Sequence, residues 1–403
     1  MSKDVIPLRS APIGEPVWLA RKMDGMDLER TSDQELLRDA AVKFIKETGD
    51  LATVRALADT ASGLPDRFLA RTAELGWYAM LVPEALGGGS VSGEGLRDLA
   101  IVAEERGKAL QPGPFVPMNV VAAALARSGT PAQREEVLPA IVGGEALATW
   151  AAVGTHGVWE PGAAVRATAT DGGFRLSGTC GAVQDAVSAD WFLVTATADR
   201  GLSQFLVPAR SEGVKTTSLE SLDLTQRFGT VSFNDVVVPA SAVVGEDNGA
   251  HDDVERQLQI ALALSVAETM GTMDALFEMT RQYSIDRIAF GRPIGSFQAV
   301  KHQLADMSLL VESGKAIAVA ATRAVQAGEP DAGEVASMAK AWIGDASIDV
   351  AQGCFQVFGG IGFTWEHDSH LFLRRLTMGS LLFGSPDWHR ERICQLHKIE
   401  VGS

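Results

Sequence analysis

Apolar positions recur at helical spacing through most of this chain, and the recurrence is interrupted once, over about a hundred residues in the middle. The segment TSDQELLRDAAVKFIKE (31–47) places Ser32 as a helix cap, with Glu35 three residues on and apolar residues following at helical spacing. Further helical patterns cover 65–76, 93–110 and 117–128. In TPAQREEVLPAIVGG, Thr130 is the expected cap, Pro131 takes the first helical position and Gly143-Gly144 ends the helix. The texture then changes. FRLSG, WFLVTATA, SQFLVPA, VKTTSL and GTVSFNDVVVPA are short, rich in β-branched and aromatic residues, and separated by Gly, Asp and Pro. With no helices between them to make a parallel sheet, they predict an antiparallel barrel or sandwich. The helical period returns over roughly 250–284, 296–327, 332–358 and 366–397, with an Ala-rich face in IALALSVAETMGTMDAL, which predicts a four-helix bundle. The expected chain is therefore α+β: an irregular segment 1–30, an N-terminal helical domain 31–146, a middle β-domain 147–247 and a C-terminal helical bundle 248–403.

Composition narrows the classes. Apolar residues make up 46% of the 403 positions and charged residues 21%, the proportions of an ordinary folded chain. No run of about 18 apolar residues suggests membrane insertion, and the first 30 residues lack a basic-then-apolar leader pattern, so the cytoplasm is the expected compartment. A formal charge of −16 argues against nucleic acid as a partner and makes local basic clusters notable, among them Arg287/Arg292/Lys301 and Arg374/Arg375. Cys180, Cys354 and Cys394 stand far apart in no metal-ligand spacing, so free thiols and no metal site are expected.

The stretch RIAFGRPIGSFQAVKHQLADM (287–307) breaks one long helix at Phe290-Gly291-Arg292-Pro293 and starts another. Arg287 suits either a helix C-terminus or a ligand phosphate, and Phe290 and Phe297 suit either core anchors or ligand contacts. GxSxG, HExxH, Walker and strand-borne GxGxxG patterns are absent. GGIG (359–362) ends a helical segment, where bare backbone can form a bend or admit a ligand.

YSIDRIAFGRPIGSFQAVKHQLADM (283–307) and QVFGGIGFTWEHDSHLFLRR (356–375) closely resemble the two flavin-binding signatures of the acyl-CoA dehydrogenase family. LGWYAMLVPEALGG, GKALQPGPF and LPAIVGGE resemble its N-terminal helical domain. The resemblance implies FAD extended across a subunit interface of a tetramer. Arg287, Phe290, Phe297 and Gln298 then match the pyrophosphate and adenosine end, and Gln356, Gly359 and Gly360 match contacts made from a neighbouring chain. It also implies α,β-desaturation of an acyl-CoA thioester, with electrons leaving to an electron-transfer flavoprotein.

The sequence departs from that family on the catalytic side. Where most members carry the catalytic glutamate this chain has Gly384, and at the family's alternative position it has Ala261. Glu255, Glu268 and Asp387 lie nearby in sequence, and no catalytic residue is assigned. Cys180, Ala182 and Gln184 stand where the family's flavin-edge segment is expected, and only Gln184 can hydrogen-bond a ring edge. His156, in a stretch lacking the family's flavin-contact sequence, has no identifiable partner. The pattern resembles the base-lacking half of α2β2 acyl-CoA dehydrogenases that degrade bulky acyl-CoAs such as steroid side chains. The alternatives are a homotetramer, a non-catalytic subunit that stabilises a catalytic homologue, and a family member with oxidase-like or monooxygenase-like flavin chemistry.

Overall fold

The computed structural model describes residues 30–49, 51–58, 60, 63–156 and 158–397. The expectation of an irregular 1–30 falls outside them except at Arg30. Helices α1 (Ser32–Thr48), α2 (Leu51–Ala58), α3 (Phe68–Glu74), α4 (Gly95–Lys108) and α5 (Phe115–Ser128) come first, and a π-helical turn Gln133–Val137 leads into α6 (Leu138–Val142). The cap of α1 is Thr31 rather than Ser32: Thr31 Oγ1 accepts from Gln34 N at 3.2 Å, and Gln34 Oε1 accepts from Thr31 N. Burial decides this one-residue shift, because the Gln34 amide is fully buried and donates to Asp98, whereas Glu35 turns outward to Arg38.

Eight strands follow: β1 (Ala148–Ala151), β2 (Val165–Thr170), β3 (Gly173–Gln184), β4 (Trp191–Thr197), β5 (Leu202–Pro208), β6 (Val214–Leu219), β7 (Phe228–Pro239) and β8 (Val243–Val244). They form one open sheet in the order β6-β7-β3-β2-β4-β5-β8, with β1 beside β4. The sheet is mixed, not purely antiparallel, and it is not a closed barrel: β1 and β2 both run parallel to β4. β1 arrives directly from the helical layer, so its direction is set by that entry rather than by a hairpin. Leu147 N, at its threshold, donates to the Asp190 carboxylate just before β4.

The C-terminal layer holds α7 (His251–Asp286), a two-stranded hairpin of β9 (Ile288–Ala289) and β10 (Arg292–Pro293), then α8 (Gln298–Ala327), α9 (Ala332–Phe358), α10 (Ser369–Leu381) and α11 (Pro386–Leu396). The last expected helix is thus two, divided at Phe383 (φ +61°) and Gly384 (φ +105°). Ser385 caps α11, accepting from Trp388 N at 3.2 Å, and Pro386 occupies its first turn. α7 is apolar enough to span a membrane by length and composition, but 89% of its apolar window is buried, as in a core helix. It crosses α4 at backbone contact: a Cβ on Gly107 would collide with Glu268 O, and one on Gly271 with Glu104 O.

Arg375 of α10 ties the three layers together. Nε reaches Asp223 Oδ2 at 2.5 Å, Nη1 reaches Glu268 Oε1 at 2.5 Å, and Nη2 donates to Thr225 Oγ1 and to Leu110 O. Asp223 is fully buried, and Arg375 and Glu268 nearly so. Removing one member of a buried ion cluster strands the others without water. Arg375→Met is expected to cost about 3–5 kcal/mol, seen as a lower midpoint in urea unfolding. A midpoint unchanged from wild type would show that the triad does not hold the layers.

Candidate functional site

The sequence-predicted residues fall in two places. One is the end of the helical layer where α7 and α9 finish and α8 begins. α7 stops at Arg287 (ψ 117°), the hairpin turns at Phe290 (φ +55°) and Gly291 (φ +80°), and Ile294 N donates back to Arg287 O at 2.9 Å. Phe290 is 96% exposed, so it is no core anchor. Its ring meets Phe297 edge-on at 6.2 Å, and the Arg292 guanidinium lies over the Phe297 ring, 4.1 Å from its centroid. Gln298 is exposed at the first turn of α8. Among the described residues Arg287 and Arg292 have no carboxylate partner, so both cations are free for an anion.

The Gly359–Phe363 turn sits at the same end, joined by Tyr283 of α7 and Phe358 of α9, whose rings are 5.2 Å apart. Gln356 is exposed and, with Gly359, Gln352, Phe355, Phe363 and Leu373, lines a groove of about 330 Å³. Gly359 has φ +64°, and a Cβ on Gly359 or Gly360 would meet nothing within 4 Å. This is open backbone that a ligand can approach. Free cations, an exposed aromatic and bare glycine backbone together fit a diphosphate attached to a flat base. The turn is held from α2, where Arg55 pairs with Asp368 at 2.8 Å and donates to His367 O.

The second place is a cavity of about 270 Å³ between the sheet and the end of α10. It gathers Gln184, Ala182, Gly154 and Gly384, the positions where the flavin-ring side and the glutamate were expected, together with Thr149, Trp150, Trp159 and Phe383. Trp150 stands 5.3 Å from Trp159, and Phe383 packs on both at 6.5 and 5.7 Å. No carboxylate lines it among the described residues. Ala182 (φ +49°) on one wall and Phe383 and Gly384 on the other are all in the left-handed region. The bulge in β3 opposite β7, between Cys180 and Val183, produces the first wall.

The nearby carboxylates are engaged elsewhere. Glu268 is paired with Arg375, Glu255 with Arg392 at 2.5 Å, and Asp387 with Arg390 at 2.6 Å on the surface. Burial pushes the Asp185 carboxyl up to about 7 against the opposing influence of Arg227 and Arg106, but Asp185 does not line the cavity. His156 is exposed. Arg374, of the second basic cluster, donates to Leu222 O.

Sequence reasoning missed the residues that build the second wall. His389 is fully buried, and its Nε2 lies 3.0 Å from Phe383 O, which pins the left-handed turn. Burial, reinforced by Lys340, pulls its imidazole down to about 3. Lys340 in turn is buried against Gly379 O and, through desolvation, pulled down to about 7. The punctuation Phe-Gly-Ser-Pro (383–386) carried the signal for this turn, as glycine after a helix followed by a capping serine and proline.

The family model described as acyl-CoA dehydrogenase, C-terminal domain, matches residues 251–396, and that of the N-terminal domain matches residues 31–145. The acyl-CoA dehydrogenase FadE27 of Mycobacterium tuberculosis is 31% identical over 79% of this chain and 85% of its own length. The acyl-CoA dehydrogenase IpdE2 of Mycolicibacterium smegmatis is 28% identical over 92% of this chain and 99% of its own. Among solved structures, a chain of the ChsE4-ChsE5 complex from Mycobacterium tuberculosis superposes with a TM-score of 0.85 at 27% identity, covering 94% of this chain and 100% of that one.

Two outcomes follow from the turn at 383–384. A Cβ at Gly384 would lie 2.8 Å from Trp388 and 2.9 Å from His389 Nε2, at a φ that side chains rarely adopt. Gly384→Glu is therefore expected to lower the thermal midpoint by several degrees, at about 1–3 kcal/mol for the strained backbone; an unchanged midpoint would mean that the turn can open. The second concerns acid. His389 ordinarily protonates near 6.5 but only near 3 when folded, so the unfolded chain binds the extra proton. Its stabilisation is complete above 6.5 and is lost as pH falls toward 3, at about 1.4 kcal/mol per pH unit. Midpoints of His389→Gln measured from pH 7 to 4 should fall less steeply than those of wild type, and parallel slopes would refute the assignment.

Proposed function

We propose, from the premise that this chain belongs to the acyl-CoA dehydrogenase family, that it works in the cytoplasm as the FAD-clamping component of an α2β2 dehydrogenase whose homologous partner carries the catalytic glutamate. One observation carries the proposal: the residues at the ring-side positions enclose a cavity without a carboxylate, while the nucleotide end keeps its free arginines and open glycine backbone. Glycine at 384 and alanine at 261 leave no group to take a substrate's α-proton, and Glu268 cannot substitute while bonded to Arg375.

FAD, when bound, supplies the acceptor for the hydride that leaves the substrate's β-carbon. This chain's part is to hold the cofactor. Arg287 and Arg292 would neutralise the diphosphate, Phe290 and Phe297 would flank the adenine, Gln298 would bond its polar edge, and Gln356, Gly359 and Gly360 would offer backbone and amide contacts. The resulting assembly would oxidise an acyl-CoA thioester and pass electrons to an electron-transfer flavoprotein. The ChsE4-ChsE5 complex, and a Tcur3481-Tcur3483 steroid dehydrogenase variant that superposes with a TM-score of 0.81 at 28% identity, favour a bulky, steroid-like acyl group and a two-chain assembly.

The test is co-expression with a homologous dehydrogenase chain, followed by flavin-to-chain stoichiometry and acyl-CoA bleaching. The pair is expected to purify yellow, with one FAD per two chains, and to bleach with a bulky acyl-CoA, while this chain alone does neither. Arg287→Ala in the pair should weaken FAD binding by about 10- to 100-fold, the value of a charge-assisted bond. A chain that is yellow and active by itself would overturn the division of labour.

A further inference from the structure

Helix α2 is tied down more firmly than its packing explains. Of its eight residues only Val54 is buried, so the helix adds little to the core. Its last carbonyls are nevertheless held by Arg227, the residue before β7, whose Nη2 donates to Leu57 O at 3.0 Å and Ala58 O at 2.7 Å and to Thr60 O beyond the helix at 3.1 Å. A cation there satisfies carbonyls that a helix end leaves open and suits its dipole. From the same helix Arg55 reaches the segment between the Gly359–Phe363 turn and α10. Its Nε donates to Asp368 Oδ1 at 2.8 Å, its Nη2 donates to His367 O at 3.2 Å and lies 3.3 Å from His370 Nε2, and its guanidinium carbon is 5.7 Å from the Trp365 ring centroid.

The receiving end has two matching features. Asp368 stands at the N-cap of α10, where an aspartate ordinarily accepts from the first amides of its helix, yet its side chain makes no cap bond and is engaged by Arg55 instead. The turn itself has few anchors. Gly359, Gly360 and Gly362 bring backbone freedom and no side chains, and Ile361 and Phe363 are exposed. Within its own surroundings the turn is held by Ser369 Oγ, which donates to Gly362 O at 3.0 Å, and by the edge of Phe363 on Phe355 at 5.2 Å. A loose turn that presents backbone to a ligand needs its position set from the flank, and Arg55 supplies that.

We infer that α2 is a strap between the sheet and the nucleotide end, and that Arg55 is its positioning residue: it fixes where the bare backbone of Gly359 and Gly360 is offered to the cofactor while touching no part of the cofactor itself. The other end of the strap is fastened to the sheet, because Arg227 O accepts from Asp185 N at 2.9 Å. The inference rests on the proposed function for what the turn holds, and on the Arg227, Arg55 and Asp368 bonds for the strap.

Two measurements test it on Arg55→Met, Asp368→Asn and the double variant. Hydrogen exchange is followed on the purified chain without flavin, and FAD is titrated by flavin fluorescence into the co-expressed pair after flavin removal. Amides of residues 360–370 are expected to exchange about tenfold faster in each variant, while those of α7 keep their wild-type rates. The FAD dissociation constant should rise about fivefold to tenfold in each single variant, and the double should be no worse than either, because both remove one interaction. Arg55→Lys, which keeps a cation for Asp368 but loses the planar fork, should fall between wild type and Arg55→Met. A merely structural role would lower the urea midpoint together with the affinity; here the affinity moves and the midpoint stays. Should Arg55→Met fail to fold, Asp368→Asn carries the same readouts. Exchange unchanged at 360–370, FAD affinity unchanged, or single losses that add in the double would each overturn the strap. A wild-type pair that takes up no FAD overturns the clamp and the strap's use with it, whereas the exchange rates still decide whether Arg55 holds the turn.

Discussion

One guanidinium decides how the layers of this protein meet. Arg375 reaches Asp223 from the loop after β6, Glu268 from α7 and the Leu110 carbonyl after α4, so the helical domains and the sheet share a single buried cation. Such a cluster returns little net stability compared with apolar packing, because three charged groups lose their water. What it supplies is register. Only one arrangement of α10 against α7 and the sheet satisfies both carboxylates, and the close glycine crossing of α4 and α7 removes the remaining freedom.

From that register follow the two places where ligands can be held. α7 runs about 54 Å at 1.5 Å per residue, long enough to separate the nucleotide end near Arg287 from the cavity beside Phe383. At the first, the elements end together and leave cations and bare backbone in solvent. At the second, α10 breaks, and a buried histidine and lysine take up carbonyls that the broken helix leaves open. The first place is polar and open, the second apolar and confined. Both are built on the same helices, yet nothing in their chemistry requires the same ligand or even the same chain to complete them.

The buried carboxylates illustrate how position, rather than residue type, sets a role. Glu268 lies two turns along α7 from Ala261, where a related base could stand, but its bond to Arg375 commits it to architecture. Asp185 is driven toward neutrality by burial within the Arg106 and Arg227 surroundings. Both lie near the cavity, and neither lines it.

Helical periodicity determined the α-β-α order, and local chemistry determined the break at 287–297, because a glycine, a proline and a capped restart act within a few residues. The spacing of Arg287, Phe290, Phe297 and Gln298, with Gln356 and the glycines after it, was equally legible, since each motif spans only a turn or two of helix. Strand direction was not: β1 runs parallel to β4 because of where the helical layer delivers it, a contact between residues more than forty positions apart. Nor could the sequence alone choose Thr31 over Ser32, bring Trp150 and Trp159 to Phe383, or spend Glu268 on Arg375. Those outcomes depend on which groups are shut away from water together, and only the packed tertiary structure fixes that.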